Sequence, residues 1–192
     1  TLEEMVEAFE IADVNANPAR FDLKKAEAIN TAHLRMLPVE EITHRALPFL
    51  KAAGVVGDPV RDADAQLLEL AMPLVAERVN KLTEVADMLG FLFVDEADFT
   101  RDEADAAKLL DETGREVVKA AHHAVAAVGT WSTQAIQDAL QGTLVDEMGL
   151  KPRLAYGPVR VAITGRRVSP PLFESMELLG RERSLARLAS AL

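Results

Sequence analysis

Apolar residues recur at spacings of three and four along almost the whole chain, and strict two-residue alternation is rare, so the pattern predicts helices. Leu2, Met5, Val6 and Phe9 make one face of a first helix. Asn17-Pro18 marks a turn, Asp22 is placed to cap, and Leu23, Ala26, Ile29, Ala32 and Leu34 continue the pattern. Pro38 suits the first position of a third helix carrying Ile42, Leu47 and Leu50, bent by Pro48 and stopped by Gly54. After the turn Gly57-Asp58-Pro59, the stretch from Asp62 to about Leu89 predicts two helices meeting near Pro73.

The apolar run Met88 to Val94 enters an acidic stretch, Asp95 to Asp105, that predicts a surface connection. Two helices are expected over about 103–128 and 133–148, separated by Trp131-Ser132 and stopped by Gly149. Val159 to Ile163 reads locally as a strand, because β-branched residues alternate with Arg160 and Ala162. Ser169-Pro170-Pro171-Leu172-Phe173 reads as a helix start, with Ser169 as cap and Pro170 at the first helical position. Gly180 ends that helix, and Arg181 to Leu192 forms a short amphipathic one. The fold class expected is all-α.

Charge changes the picture. The 192 residues carry 21 Lys+Arg against 31 Asp+Glu, a net −10 that argues against a nucleic-acid partner. The charge is segregated, however. From Gly149 onward eight basic residues (Lys151, Arg153, Arg160, Arg166, Arg167, Arg181, Arg183, Arg187) face three acidic ones, a balance of +5 that leaves −15 for the rest. A basic C-terminal segment is therefore concealed in an acidic total.

Free-standing catalysis finds little support. Without cysteine, disulfides, thiolate zinc sites and cysteine nucleophiles are excluded. His122 and His123 are neighbours that point about 100° apart on a helix, which does not suit chelation of one metal. The acidic cluster Asp95, Glu96, Asp98, Asp102, Glu103 and Asp105 lacks the loop glycine and spacing of a calcium hand, and no Gly-rich phosphate loop, nucleophile elbow or zinc-binding helix motif occurs. No apolar run reaches the length of a membrane span, no signal-peptide pattern opens the chain, and the absence of an initiator Met suggests a fragment of a cytoplasmic protein.

Three blocks then become specific: Gly157-Pro158-Val159-Arg160-Val161-Ala162-Ile163-Thr164-Gly165, Ser169-Pro170-Pro171-Leu172-Phe173-Glu174, and Leu178-Leu179-Gly180-Arg181-Glu182-Arg183-Ser184-Leu185-Ala186-Arg187-Leu188. In this order they resemble the end of bacterial glutamyl-tRNA synthetases. Phe21-Asp22-Leu23-Lys24-Lys25 followed by Asn30 resembles the stretch after the family's catalytic KMSKS loop, although Ala28 and His33 stand where the family commonly has Trp and Tyr. Glu77-Arg78-Val79-Asn80-Lys81-Leu82 is similar to a Glu-Arg-Val-Lys-Thr-Leu helix of the family, and Trp131 falls where a tryptophan opens the penultimate helix.

The resemblance implies a helical cage: residues 1–45 as the end of a stem-contact domain, 46–110 and 111–192 as two anticodon-binding subdomains. It implies a monomer that binds tRNA(Glu), with no DNA or membrane partner. No metal or cofactor is expected in this part, because ATP and magnesium belong to the catalytic domain of the full enzyme. The fragment alone is expected to form no glutamyl-adenylate. Arg78 matches the position that reads the final anticodon C, and Arg160 another anticodon-contacting arginine. Ser169, Pro170 and Leu172 match positions that pack on and hydrogen-bond splayed bases. An arginine at position 78 favours an enzyme that discriminates the glutamate tRNA from the glutamine tRNA. Lys151, Arg166 and Arg167 are plausible phosphate contacts.

Each residue also has a plainer reading. Arg78 suits an ion pair along a helix, Arg160 a surface charge, Ser169-Pro170 a helix cap, and the other cations a solvated face. A different class of function, a helical scaffold whose acidic face meets a basic partner, is the alternative. A scaffold does not need the basic C-terminal segment.

Overall fold

A computed structural model describes residues 1–14 and 20–192, and in these the regular structure is helical, with eleven α-helices joined by turns and loops. The expected Asn17-Pro18 turn lies outside the described residues. In chain order the helices are α1 (Leu2–Ala8), α2 (Leu23–Arg35), α3 (Val39–Ala52), α4 (Asp62–Ala71), α5 (Glu84–Phe93), α6 (Glu103–Leu109), α7 (Glu112–Ala126), α8 (Thr133–Leu140), α9 (Pro152–Thr164), α10 (Leu172–Leu179) and α11 (Arg181–Ala189). No helix is long and apolar enough to cross a membrane among the described residues.

Side-chain caps set many of the starts. Asp22 accepts from the Lys25 N–H, Asp102 from Asp105, Asp111 from Gly114 and Ser132 from Ala135, each satisfying an amide that has no carbonyl partner within its helix. Pro38 stands one residue before α3, as its cap.

The structure corrects several expectations. Val159–Ile163 belongs to α9, not to a strand: Val159, Val161, Ala162 and Ile163 are all buried, so this stretch is covered on several sides and its alternation carries no information about a half-buried surface. The stretch between Pro73 and Leu89 is not one helix. A 3-10 turn over Met72–Leu74 leads into turns, and α5 begins at Glu84, yet Val75, Ala76 and Val79 still reach the core. The Arg78 segment is therefore a turn rather than the helix that the resemblance suggests. The expected helix over 103–128 breaks at residues 110–111, where Asp111 caps α7. There a Cβ on Gly114 would lie 1.9 Å from the Leu109 carbonyl oxygen, so the tight break requires glycine. Past Leu140 the chain widens into π-helical turns (Gln141–Glu147) that end near Gly149 at φ +67°. Ser169 does not cap a helix, since α10 starts at Leu172 after Pro171.

One contiguous apolar core extends from Ile42 to Ala191. Helix α7 lies at its centre against α8, α9 and α11, α10 packs on α8 and reaches α4, and α3 packs on α4 and α5. Leu50, Leu68, Leu89, Leu92, Ile136, Leu140, Leu144, Ile163 and Leu188 are fully buried, each stabilising the fold by about 1.5–3 kcal/mol relative to exposure.

Polar chemistry joins the α5 side of this core to the C-terminal helices. Arg187, on α11, is only 1% exposed. Its guanidinium donates to the carbonyls of Ile163 (2.8 Å) and Phe91 (2.9 Å) and to both carboxylate oxygens of Glu96 (2.8 and 3.0 Å), and it lies 3.6 Å from the centre of the Phe99 ring. Arg183, one turn earlier, donates to Glu96 and to the carbonyls of Leu92 and Val94. Arg101 donates to the Arg187 and Ala162 carbonyls. The carbonyls concerned lie at the C-terminal ends of α5, α9 and α11, which lack intrahelical donors and carry partial negative charge.

Burial by itself would push the Glu96 carboxyl up, but the hydrogen bonds from Arg187 and Arg183 outweigh it and hold the group below its ordinary value. A lowered carboxylate pKa stabilises the fold above the unfolded value, about 4.3, and that contribution is lost as pH falls through the folded value. Glu96→Gln is accordingly expected to lower stability at neutral pH and to flatten the loss of stability on acidification below about pH 4, read by urea denaturation at a series of pH values. Gly165, which ends α9 at φ +80°, admits no Cβ without placing it 2.7 Å from the Thr100 carbonyl oxygen. Gly165→Ala is expected to cost at least about 1–3 kcal/mol in the same measurement.

Candidate nucleic-acid interface

After Gly165 the chain leaves α9 and runs through residues 166–171 before α10, and this connection forms one wall of a cleft of about 560 Å³. Thr164 ties its start: its hydroxyl proton is shared between the Arg160 and Arg166 carbonyls, 2.9 and 3.0 Å away. Arg160 ties its end. One terminal nitrogen, Nη1, donates to the Ser169 hydroxyl oxygen (2.8 Å) and to the Pro170 carbonyl (2.6 Å). Among the described residues the Nε and Nη2 of Arg160 have no protein partner, and neither is sealed from solvent. These two N–H groups lie side by side along one edge of the planar guanidinium and form a donor fork.

Arg78 lines the same cleft from a separate segment of the chain. It is exposed on the turn after Val75, its amide donating to the Val75 carbonyl at 2.8 Å. Burial depresses the Arg160 pKa, and the nearby positive charge of Arg78 depresses it further against the opposing pull of Glu174. Arginine is so strong a base that the depressed Arg160 still carries its charge at neutral pH. Two cations in one cleft favour a ligand that brings acceptors or negative charge.

The cleft thus brings together Arg78, Arg160, Ser169 and Leu172 from the expected set. Leu172 is 3% exposed and contributes an apolar floor. Pro170 is buried and acts through its carbonyl beneath Arg160, while Pro171 lines the cleft. Arg167 lines this cleft, and Arg166 lines an adjoining cleft of about 490 Å³ that shares Arg78 and Val168. Both have acidic partners: Arg166 donates to Asp87 at 2.8 Å, and Asp105 accepts from the Arg167 amide at 2.7 Å and lies 3.7 Å from its guanidinium. Lys151 is exposed before α9 and lines neither cleft.

Residue-by-residue reading missed Tyr156, Phe173 and Glu174. Tyr156 precedes Arg160 by one helical turn and meets Phe173 edge to face at 5.3 Å, and its hydroxyl donates to Gln141 at 2.7 Å. The spacing of four between Tyr156 and Arg160 is a signal that could have found the first of them, because such residues share a helix face. The half-buried Tyr156–Phe173 pair gives the cleft an aromatic flank beside its guanidinium fork, an arrangement able to stack and hydrogen-bond a single-stranded base.

Residues 41–192 match a family model described as an anticodon binding domain. Over the whole chain the sequence is 73% identical to a glutamate–tRNA ligase of a Nocardioides species and 53% identical to one from Saccharopolyspora erythraea, covering 39% and 38% of those proteins. The chain therefore spans about two fifths of the length of these relatives. A solved glutamate tRNA ligase from Elizabethkingia meningosepticum superimposes with a TM-score of 0.74 at 21% identity, covering 100% of this chain and 36% of that one. At that identity the likeness shows the fold. Ser169→Ala, which removes one of the two acceptors of Arg160, is expected to cost about 1 kcal/mol in thermal denaturation with helix content unchanged.

Proposed function

We propose, from the premise that this chain belongs to the anticodon-binding domain family, that its cleft reads the anticodon loop of tRNA(Glu) as part of a larger glutamate–tRNA ligase. The observation that carries the reading is the pairing of the Arg160 donor fork with Arg78 in one cleft. Cytosine presents two acceptors, N3 and O2, on its pairing edge, and a guanidinium presents only donors. Arg78 is assigned to the final C of the anticodon. Arg160, Ser169, the Pro170 carbonyl region and Leu172 frame a neighbouring base, with the Tyr156–Phe173 flank available for stacking.

In this reading Arg166, Arg167 and Lys151 contact phosphates. Arg166 and Arg167 would exchange Asp87 and Asp105 for phosphate oxygens, so their net contribution is smaller than that of an unpaired cation. Residues 1–45 form the end of a stem-contact domain, and 46–110 and 111–192 the two subdomains around the anticodon. The larger protein attaches glutamate to the tRNA in the cytoplasm as a monomer, with ATP and magnesium held outside this chain. Arg78 makes it the discriminating type, because the glutamate and glutamine tRNAs differ at the final anticodon base.

Binding of anticodon stem-loops that differ only in that base tests the assignment. The chain is expected to prefer the C-ending loop. Arg78→Ala is expected to cost about 1–3 kcal/mol on that loop, whereas Arg166→Ala weakens all loops alike. Equal binding of the two loops by the unaltered chain would contradict the reading.

A further inference from the structure

The turn that carries Arg78 is fastened from outside the residues that match the family model. Arg35, in the last turn of α2, donates through Nη1 to the carbonyls of Ala76 (2.9 Å) and Val79 (2.8 Å), the two that bracket positions 77 and 78. The Asn30 side-chain amide donates to the Asn80 carbonyl at 2.6 Å, and the Thr31 hydroxyl meets the Asn80 side chain at 3.2 Å. Glu27 forms an ion pair with Lys81. Four residues on about three successive turns of one α2 face thus grip residues 76–81, while the matched region begins only at residue 41. The turn lies outside regular helix, so carbonyls that a helix would satisfy internally are available to external donors.

We propose that Arg35 is the positioning residue for base reading by Arg78, with Asn30 supporting it. The inference rests on the anticodon-reading function proposed above. Arg35 is directed at backbone carbonyls and needs no contact with RNA. Its charge-assisted bonds fix the path of the turn and thereby the origin of the Arg78 side chain. A guanidinium that must align with one base edge loses selectivity when its origin drifts by a fraction of an ångström, while a phosphate contact tolerates the same drift.

The test compares Arg35→Met, Arg35→Lys, Asn30→Ala, Arg78→Ala and the Arg35→Met/Arg78→Ala double variant, using stem-loops with the final anticodon base C or G. Arg35→Met is expected to lower the C-over-G preference at least about fivefold, and the double variant to show no further loss beyond Arg78→Ala. Arg35→Lys, which keeps a donor, restores part of the preference, and Asn30→Ala lowers it by a smaller factor. Amide hydrogen exchange at residues 76–81 is expected to accelerate in Arg35→Met without RNA present.

A preference lost in Arg78→Ala but intact in Arg35→Met overturns the positioning role alone, as does equal weakening of both loops or unchanged exchange at 76–81. Should Arg35→Met not fold, an intact preference in Asn30→Ala overturns it. If Arg78→Ala keeps the preference, the assignment of Arg78 fails, and accelerated exchange in Arg35→Met still identifies Arg35 as the fastening of the turn.

Discussion

The Arg187 guanidinium is the interaction on which the C-terminal half depends. A cation that is 1% exposed is costly unless its donors and its charge are answered, and here two backbone carbonyls, one carboxylate and an aromatic face answer them. The acceptors come from the ends of α5 and α9 and from the connection that follows α5. Removing the side chain would therefore leave two helix-end carbonyls without this donor as well as a cavity. The cluster fixes where α9 ends, and the end of α9 sets the course of residues 165–171.

That dependence links packing to the site. Arg187 holds the Ile163 carbonyl, Gly165 takes the left-handed backbone two residues later, and its carbonyl receives the Asp102 amide at 2.8 Å. From this anchored corner the chain reaches Ser169 and Pro170, which Arg160 gathers from inside the cleft. The same arrangement revises the meaning of charge. Of the basic residues counted in the C-terminal segment, Arg183 and Arg187 serve the fold, and Arg166 and Arg167 sit beside aspartates. An excess of +5 along the sequence is thus not a free basic surface in space. Selectivity falls to a few guanidinium groups with defined geometry, consistent with a protein whose total charge discourages indiscriminate RNA contact.

The helical class and most helix starts were legible because apolar spacing and Asp or Ser caps are local signals, as Asp22 and Ser132 show. The failures share a cause. Val159–Ile163 is buried on several sides, so its β-branched alternation resembled a strand, and the residues between Pro73 and Leu82 kept core contacts while abandoning helix. The break before Gly114 depends on a close approach to the Leu109 carbonyl that no local pattern announces. Family motifs located Arg78, Arg160, Ser169 and Leu172, which converge on one cleft. The grip of α2 on the Arg78 turn was hidden, because Arg35 and Val79 are partners only in three dimensions.

The central claim is that Arg78 and Arg160 meet the anticodon through their donor groups while Arg183 and Arg187 remain structural. Arginine Nε–H resonances, followed by NMR as an anticodon stem-loop of tRNA(Glu) is added, test it directly. The account predicts that Arg78 and Arg160 shift and become protected from exchange, with Arg183 and Arg187 unchanged. Shifts confined to peripheral cations such as Lys151 and Arg153, with Arg78 and Arg160 unmoved, would contradict it.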